Sequence, residues 1–166
     1  MAALLKGTML AAGSALALLS SPAHAQLREA SLQQIFESYN DCFAATETGT
    51  INAAALTSLG WSRATMTDGD GNSIKDGPII FGHTDRNAII LLSALEGDGV
   101  CIVNARIASF DVFESFTEAF GGNLPEPDEQ GAITYRAQGH IVQIAPTGSK
   151  EKPSLRLVVG TKSETN

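Results

Sequence analysis

The stretch AIILLSALEGDGVCIVNARI, residues 88–107, decides the fold. It reads as two apolar strands joined by the turn Glu96-Gly97-Asp98-Gly99. The first arm, residues 88–95, is apolar at almost every position, the pattern of a strand covered on both faces. The second arm alternates. Cys101, Val103, Ala105 and Ile107 point one way, and Ile102, Asn104 and Arg106 the other. An antiparallel pair at the centre of a sheet follows, with a cysteine on one of its faces.

Upstream, residues 27–45 carry the helical period. Leu32, Ile35, Phe36, Tyr39, Cys42 and Phe43 fall on one stripe, and Gln33, Gln34, Glu37, Ser38, Asn40 and Asp41 make the polar side. Cys42 and Cys101 are the only two cysteines. A disulfide between them closes a loop of roughly 60 residues and stabilises by about 4 kcal/mol on the chain-entropy account. Their Cα atoms must then lie about 4.4–6.8 Å apart. The helix is therefore expected on the sheet face that carries Val103 and Ala105.

The disulfide expectation rests on the N-terminus. Lys6 is followed by an apolar run from about Met9 to Leu19, then Ser-Ser-Pro-Ala-His-Ala, so residues 1–25 read as a secretory signal cleaved after Ala25. The apolar run is well short of the ~20 residues that span a bilayer. Residues 26–166 are expected to form one exported domain, periplasmic by preference with an extracellular location as the alternative. No stable membrane insertion is expected after cleavage. The chain carries a net charge of −7, which argues against nucleic acid as a partner, since phosphate binding needs basic surface.

The rest of the chain supplies the other elements. A second helix is expected over residues 51–59, capped by Thr50 and ended by Gly60, with Trp61 directly after it. Residues 62–78 are rich in turn formers. Asp68, Asp70 and Asn72 imitate the start of a calcium loop, but Ser73 and Ile79 stand where a glycine and a glutamate belong, so loop 67–76 is read as solvated and no metal site is expected. Residues 79–83 pair with 88–95. Ser109 begins a third helix bearing Phe110, Val112, Phe113, Phe116, Ala119 and Phe120, which stops at Gly121-Gly122. An acidic, proline-containing loop over 123–131 leads to a hairpin of residues 133–137 and 141–145, a last strand at 155–159 and a frayed tail from about 161. The fold class is α+β: a mainly antiparallel sheet of about six strands, with an N-terminal helix or two and one further helix packed on one face.

No catalytic signature appears: no Gly-x-Ser-x-Gly, no His-Glu-x-x-His, no phosphate loop and no dinucleotide fingerprint. No cofactor is expected. Ser93, His83 and Asp85 can be drawn as a triad only on paper, because Ser93 sits in an apolar strand with nothing local to activate it. One constellation stands out. Arg106, Arg136 and Arg156 each occupy a strand at the parity opposite apolar residues, and Asn104, Thr134 and Gln143 share that parity. If the helices cover the other face, these arginines lie on an open one, suited to an anionic ligand or an acidic partner. Trp61 is a further candidate contact in the loops beside the sheet. The expected function is a non-catalytic binding or interaction protein, monomer or homodimer, whose partner is an unknown protein or a small anionic ligand. The rivals are a small exported hydrolase built from dispersed residues such as His83 and Asp85, and an envelope component that acts by assembly.

Overall fold

In the computed structural model, residues 27–72, 74 and 78–162 are described, so the signal reading of residues 1–25 lies outside them. Helix α1 (Leu32–Thr46) starts with a capping box: Ser31 Oγ accepts from Gln34 N–H, and Gln34 Oε1 accepts from Ser31 N–H. Its stripe of Ile35, Tyr39, Cys42 and Ala45 is buried. Helix α2 (Ala53–Ser58) is capped by Asn52, not Thr50, whose side chain accepts the Ala55 N–H. Gly60 ends the turn at φ +92°, a conformation that favours glycine, and the chain enters the core at Trp61.

Seven strands follow: β1 (Ser62–Arg63), β2 (Ile79–Gly82), β3 (Ala88–Leu92), β4 (Val100–Arg106), β5 (Ile133–Ala137), β6 (His140–Gly148) and β7 (Pro153–Gly160). Helix α3 (Phe110–Glu118) lies between β4 and β5 in the chain. The sheet order is β1-β2-β3-β4-β7-β6-β5, every neighbouring pair antiparallel. Two meanders, β1–β4 and β5–β7, therefore meet at the β4–β7 seam. The α+β class holds, with seven strands where about six were expected. The addition is β1, two residues long in the segment read as turns, held to β2 at Ser62↔Gly82 and Arg63↔Phe81.

The register sorts the side chains into two faces. Phe81, Ile90, Val103, Leu157, Ile144 and Ile133 form one ladder across six strands, and all are buried. Each contributes about 1.5–3 kcal/mol of transfer free energy. Helix α1 covers this face through contacts to β3, β4 and β7, and α3 adds Phe116 above it. The Cys42–Cys101 disulfide ties α1 to β4 at a Cα separation of 5.5 Å. Phe36, Tyr39 and Phe43 of α1, Phe116 and Phe120 at α3, and Tyr135 of β5 meet in tilted and edge-on contacts, so aromatic side chains join both helices to the far end of the sheet.

One smaller expectation changes. Ser109 occupies the N-cap of α3, but its hydroxyl donates to Asp111 Oδ2 and no backbone N–H is capped by it. At the start of the tail, the Thr161 N–H donates to the Gly99 carbonyl and its hydroxyl accepts the Gly99 N–H, while residues 163–166 of the expected frayed tail lie outside the described residues.

Candidate functional site

The opposite face of the sheet is the candidate site. One residue along each strand from the buried ladder runs a second ladder: Ile80, Leu91, Ile102, Val158, Gln143 and Thr134. Its first four members are aliphatic and half-buried. Ile89 flanks them on β3, and Ile141 on β6 is 46% exposed. Among the described residues, helices α1, α2 and α3 pack on the disulfide side or against one another, and none lies on this face. The expectation that β3 is covered on both faces is thus overturned: Ile90 and Leu92 are buried while Ile89 and Leu91 remain half-exposed. The continuous apolar run marks a two-sided apolar strand, but among the described residues only one side has an element packed on it.

The three arginines do share this face. Arg156 is the direct cross-strand partner of Asn104, and Arg106 lies two residues further along β4, opposite Ser154. Diagonal neighbours at this spacing are within reach of long side chains. Arg136 stands apart. With strands about 4.8 Å apart and residues about 3.3 Å apart along them, it lies roughly 16 Å from Arg156 and roughly 25 Å from Arg106. A single three-arginine site does not form. The fold assembles a corner of Arg106, Asn104 and Arg156 at one end and places Arg136 alone toward the β5 edge. Arg106 makes a loose ion pair of 3.7 Å with the exposed Glu29, and its Nε has no hydrogen-bond partner. Among the described residues Arg136 and Arg156 enter no salt bridge, and both are exposed. Thr134 and Gln143 bond weakly to each other across β5 and β6.

Trp61 has no part in this face. It is 1% exposed, on the helix side, and its indole N–H donates to Asp41 Oδ2 at 2.9 Å. The ring meets His83 edge-on. The sequence period assigns Asp41 to the polar side of α1, yet it is buried with this one strong donor and Arg86 Nε at 3.9 Å, while Arg86 also pairs with Glu37 at 3.0 Å. The helical wheel puts Asp41 beside the apolar stripe; only the packing of Trp61 turns that flank inward.

The residues proposed for hydrolysis are dispersed. His83 Nδ1 accepts the Asp85 backbone N–H, so Nε2 carries the proton and donates to the Leu59 carbonyl. The Asp85 contact is through its backbone, not its carboxylate. Ser93 follows the far end of β3, roughly 17 Å of strand from the residue beside His83, and its Oγ accepts the Val100 N–H. His140 is wholly buried, with Nδ1 on the Gly160 carbonyl and its ring edge-on to Phe43.

Three perturbed groups have structural causes. Tyr39 and Tyr135 share a 2.6 Å hydroxyl–hydroxyl hydrogen bond inside the aromatic cluster, and burial raises both phenols above the ordinary tyrosine range. In the Asp68–Asn72 turn the Asp68 carboxylate accepts from the Asn72 backbone N–H and side-chain amide, which hold its carboxyl below the usual range. That carboxylate closes its own turn. Among the described residues no three histidine, cysteine or acidic side chains converge as metal ligands, and no helix is long and apolar enough to cross a membrane. Comparison with protein-family models, curated proteins and solved structures gives no match.

Proposed function

We propose that this is an exported, non-catalytic interaction protein that acts through the open face of its sheet. One observation carries the reading: the aliphatic ladder Ile80–Leu91–Ile102–Val158 crosses four adjacent strands with no helix over it among the described residues, while the opposite face is covered and stapled. An apolar surface contiguous over several strands has a free-energy cost in water that scattered surface residues do not, and docking relieves it. The engaged nitrogens of His83 and its distance from Ser93 weigh against the hydrolase alternative.

The test is site-specific photo-crosslinking in the source cell. A photoreactive residue at Ile102 should give a discrete adduct with a partner, and one at Gln33, exposed on the polar side of α1, should not. Equal labelling from both positions, or none from Ile102, removes the reading. Export is checked separately: the protein recovered outside the cytoplasm should begin at Gln26.

A further inference from the structure

Resting on that reading, we propose that the partner is an acidic protein surface in which aliphatic side chains are flanked by carboxylates, one carboxylate seating on the Arg156–Asn104–Arg106 corner. The charge distribution points this way. The chain has 18 acidic and 11 basic residues. Yet the charged side chains at the open-face positions of β2–β7 are Arg106, Arg136 and Arg156, and among the described residues the one carboxylate paired with any of them is the exposed Glu29, a loose 3.7 Å contact to Arg106. Arg136 and Arg156 are exposed and have no ion-pair partner among the described residues, so their donors are available to one brought from outside. At the corner, Arg156 and Asn104 are direct cross-strand partners, with Arg106 two residues along β4, diagonal to Arg156. That fork of donors matches a carboxylate.

The same distribution argues against a second copy. A two-fold stack of this face on itself would bring arginines to an apolar face whose own strand positions carry only arginines, with Glu29, already paired to Arg106, the one acid beside them among the described residues. Size argues for a protein. Seven strands at about 4.8 Å spacing and about 3.3 Å per residue give a platform on the order of 500 Å² in projection, near the lower end of what one side of a specific interface supplies. A lone small carboxylate would use only the corner and leave the aliphatic ladder wet. Anionic lipid is disfavoured because the molecule as a whole is negative, and three separated arginines fall short of a polybasic patch.

The experiment titrates the isotope-labelled protein with three synthetic octapeptides, alternating Leu-Glu, Leu-Lys and Ser-Glu, and follows backbone amide shifts. The Leu-Glu peptide should move the amides of Ile80, Leu91, Ile102, Asn104 and Val158, and bind at least about 10-fold more tightly than the other two. Arg156→Ala and Arg106→Ala should each weaken it about 10-fold with thermal unfolding unchanged, whereas Arg63→Ala, on the other parity of β1, should not. Equal binding of Leu-Lys at the same amides would overturn the acidic partner while leaving the docking face intact. Failure of all three peptides to touch these amides would overturn both. Two further results would each overturn the acidic partner: concentration-dependent dimerisation through these amides, or binding to vesicles of 30% phosphatidylglycerol in preference to Leu-Glu.

Discussion

Val103→Ala and Ile102→Thr change neighbouring residues of β4 and should differ severalfold in cost. Val103 is fully buried in the ladder between Ile90 and Leu157. Removing two methyl groups forfeits about 1.6 kcal/mol of transfer free energy, and the cavity left under α1 raises the loss to about 2–3 kcal/mol. Ile102 sits between Leu91 and Val158 on the uncovered face and is half-exposed. Threonine keeps the β-branch that suits a strand, and its hydroxyl reaches water, so the change should cost less than about 1 kcal/mol. The assay is urea unfolding followed by the fluorescence of Trp61, the chain's one tryptophan, which is buried in the folded state. At slopes of about 1–3 kcal/mol per molar urea, Val103→Ala should lower the midpoint by about 1 M or more, and Ile102→Thr by less than half as much. If the two midpoints fall together, something covers the Ile102 face in the isolated protein, and the functional argument built on that face collapses.

Three other predictions test the rest of the framework. The protein isolated under oxidising conditions should weigh two hydrogens less than its reduced form, and the Cys42→Ala/Cys101→Ala pair should lose about 4 kcal/mol in denaturant unfolding; intact thiols would contradict the staple. Trp61→Phe removes the N–H that faces the buried Asp41 carboxylate and should cost about 1.5–3 kcal/mol by circular dichroism, with most of that cost gone when Asp41→Leu is the starting point. The chain's only two tyrosines are the bonded pair, so absorbance at 295 nm should show no phenolate in the folded protein near pH 10. The sign follows from their raised folded values: the stabilisation is fully present below the ordinary tyrosine range of about 10 and is lost as pH climbs above it, because the unfolded chain releases these protons first. Tyr39→Phe/Tyr135→Phe should flatten that part of the alkaline decline.

Much of the framework is legible in local pattern. The α1 stripe, the 88–107 hairpin, the aromatic side of α3 and the pairing of Cys42 with Cys101 depend on side-chain period and on there being two cysteines, and each appears close to its expected place. Boundaries are less legible. Strands β6 and β7 extend beyond their apolar cores, through Pro146 to Gly148 and back to Pro153, because cross-strand partners continue the ladder where the apolar pattern ends. Strand β1 has no pattern of its own and exists only because β2 offers its edge.

For the site, the sequence by itself determined parity: which residues of each strand point together, and hence that Arg106, Arg136 and Arg156 fall on one side once the sheet is formed. Strand order is a property of the tertiary structure alone. The β4–β7 seam sets Arg156 beside Asn104, while the return through β6 and β5 carries Arg136 roughly 16 Å away. Packing likewise decided the fates of Trp61 and Ile102. Both are apolar in the sequence, but α1 supplies a buried carboxylate over one, and among the described residues no helix is placed over the other. Burial depends on what arrives from distant parts of the chain, and neither residue's neighbours in sequence record it.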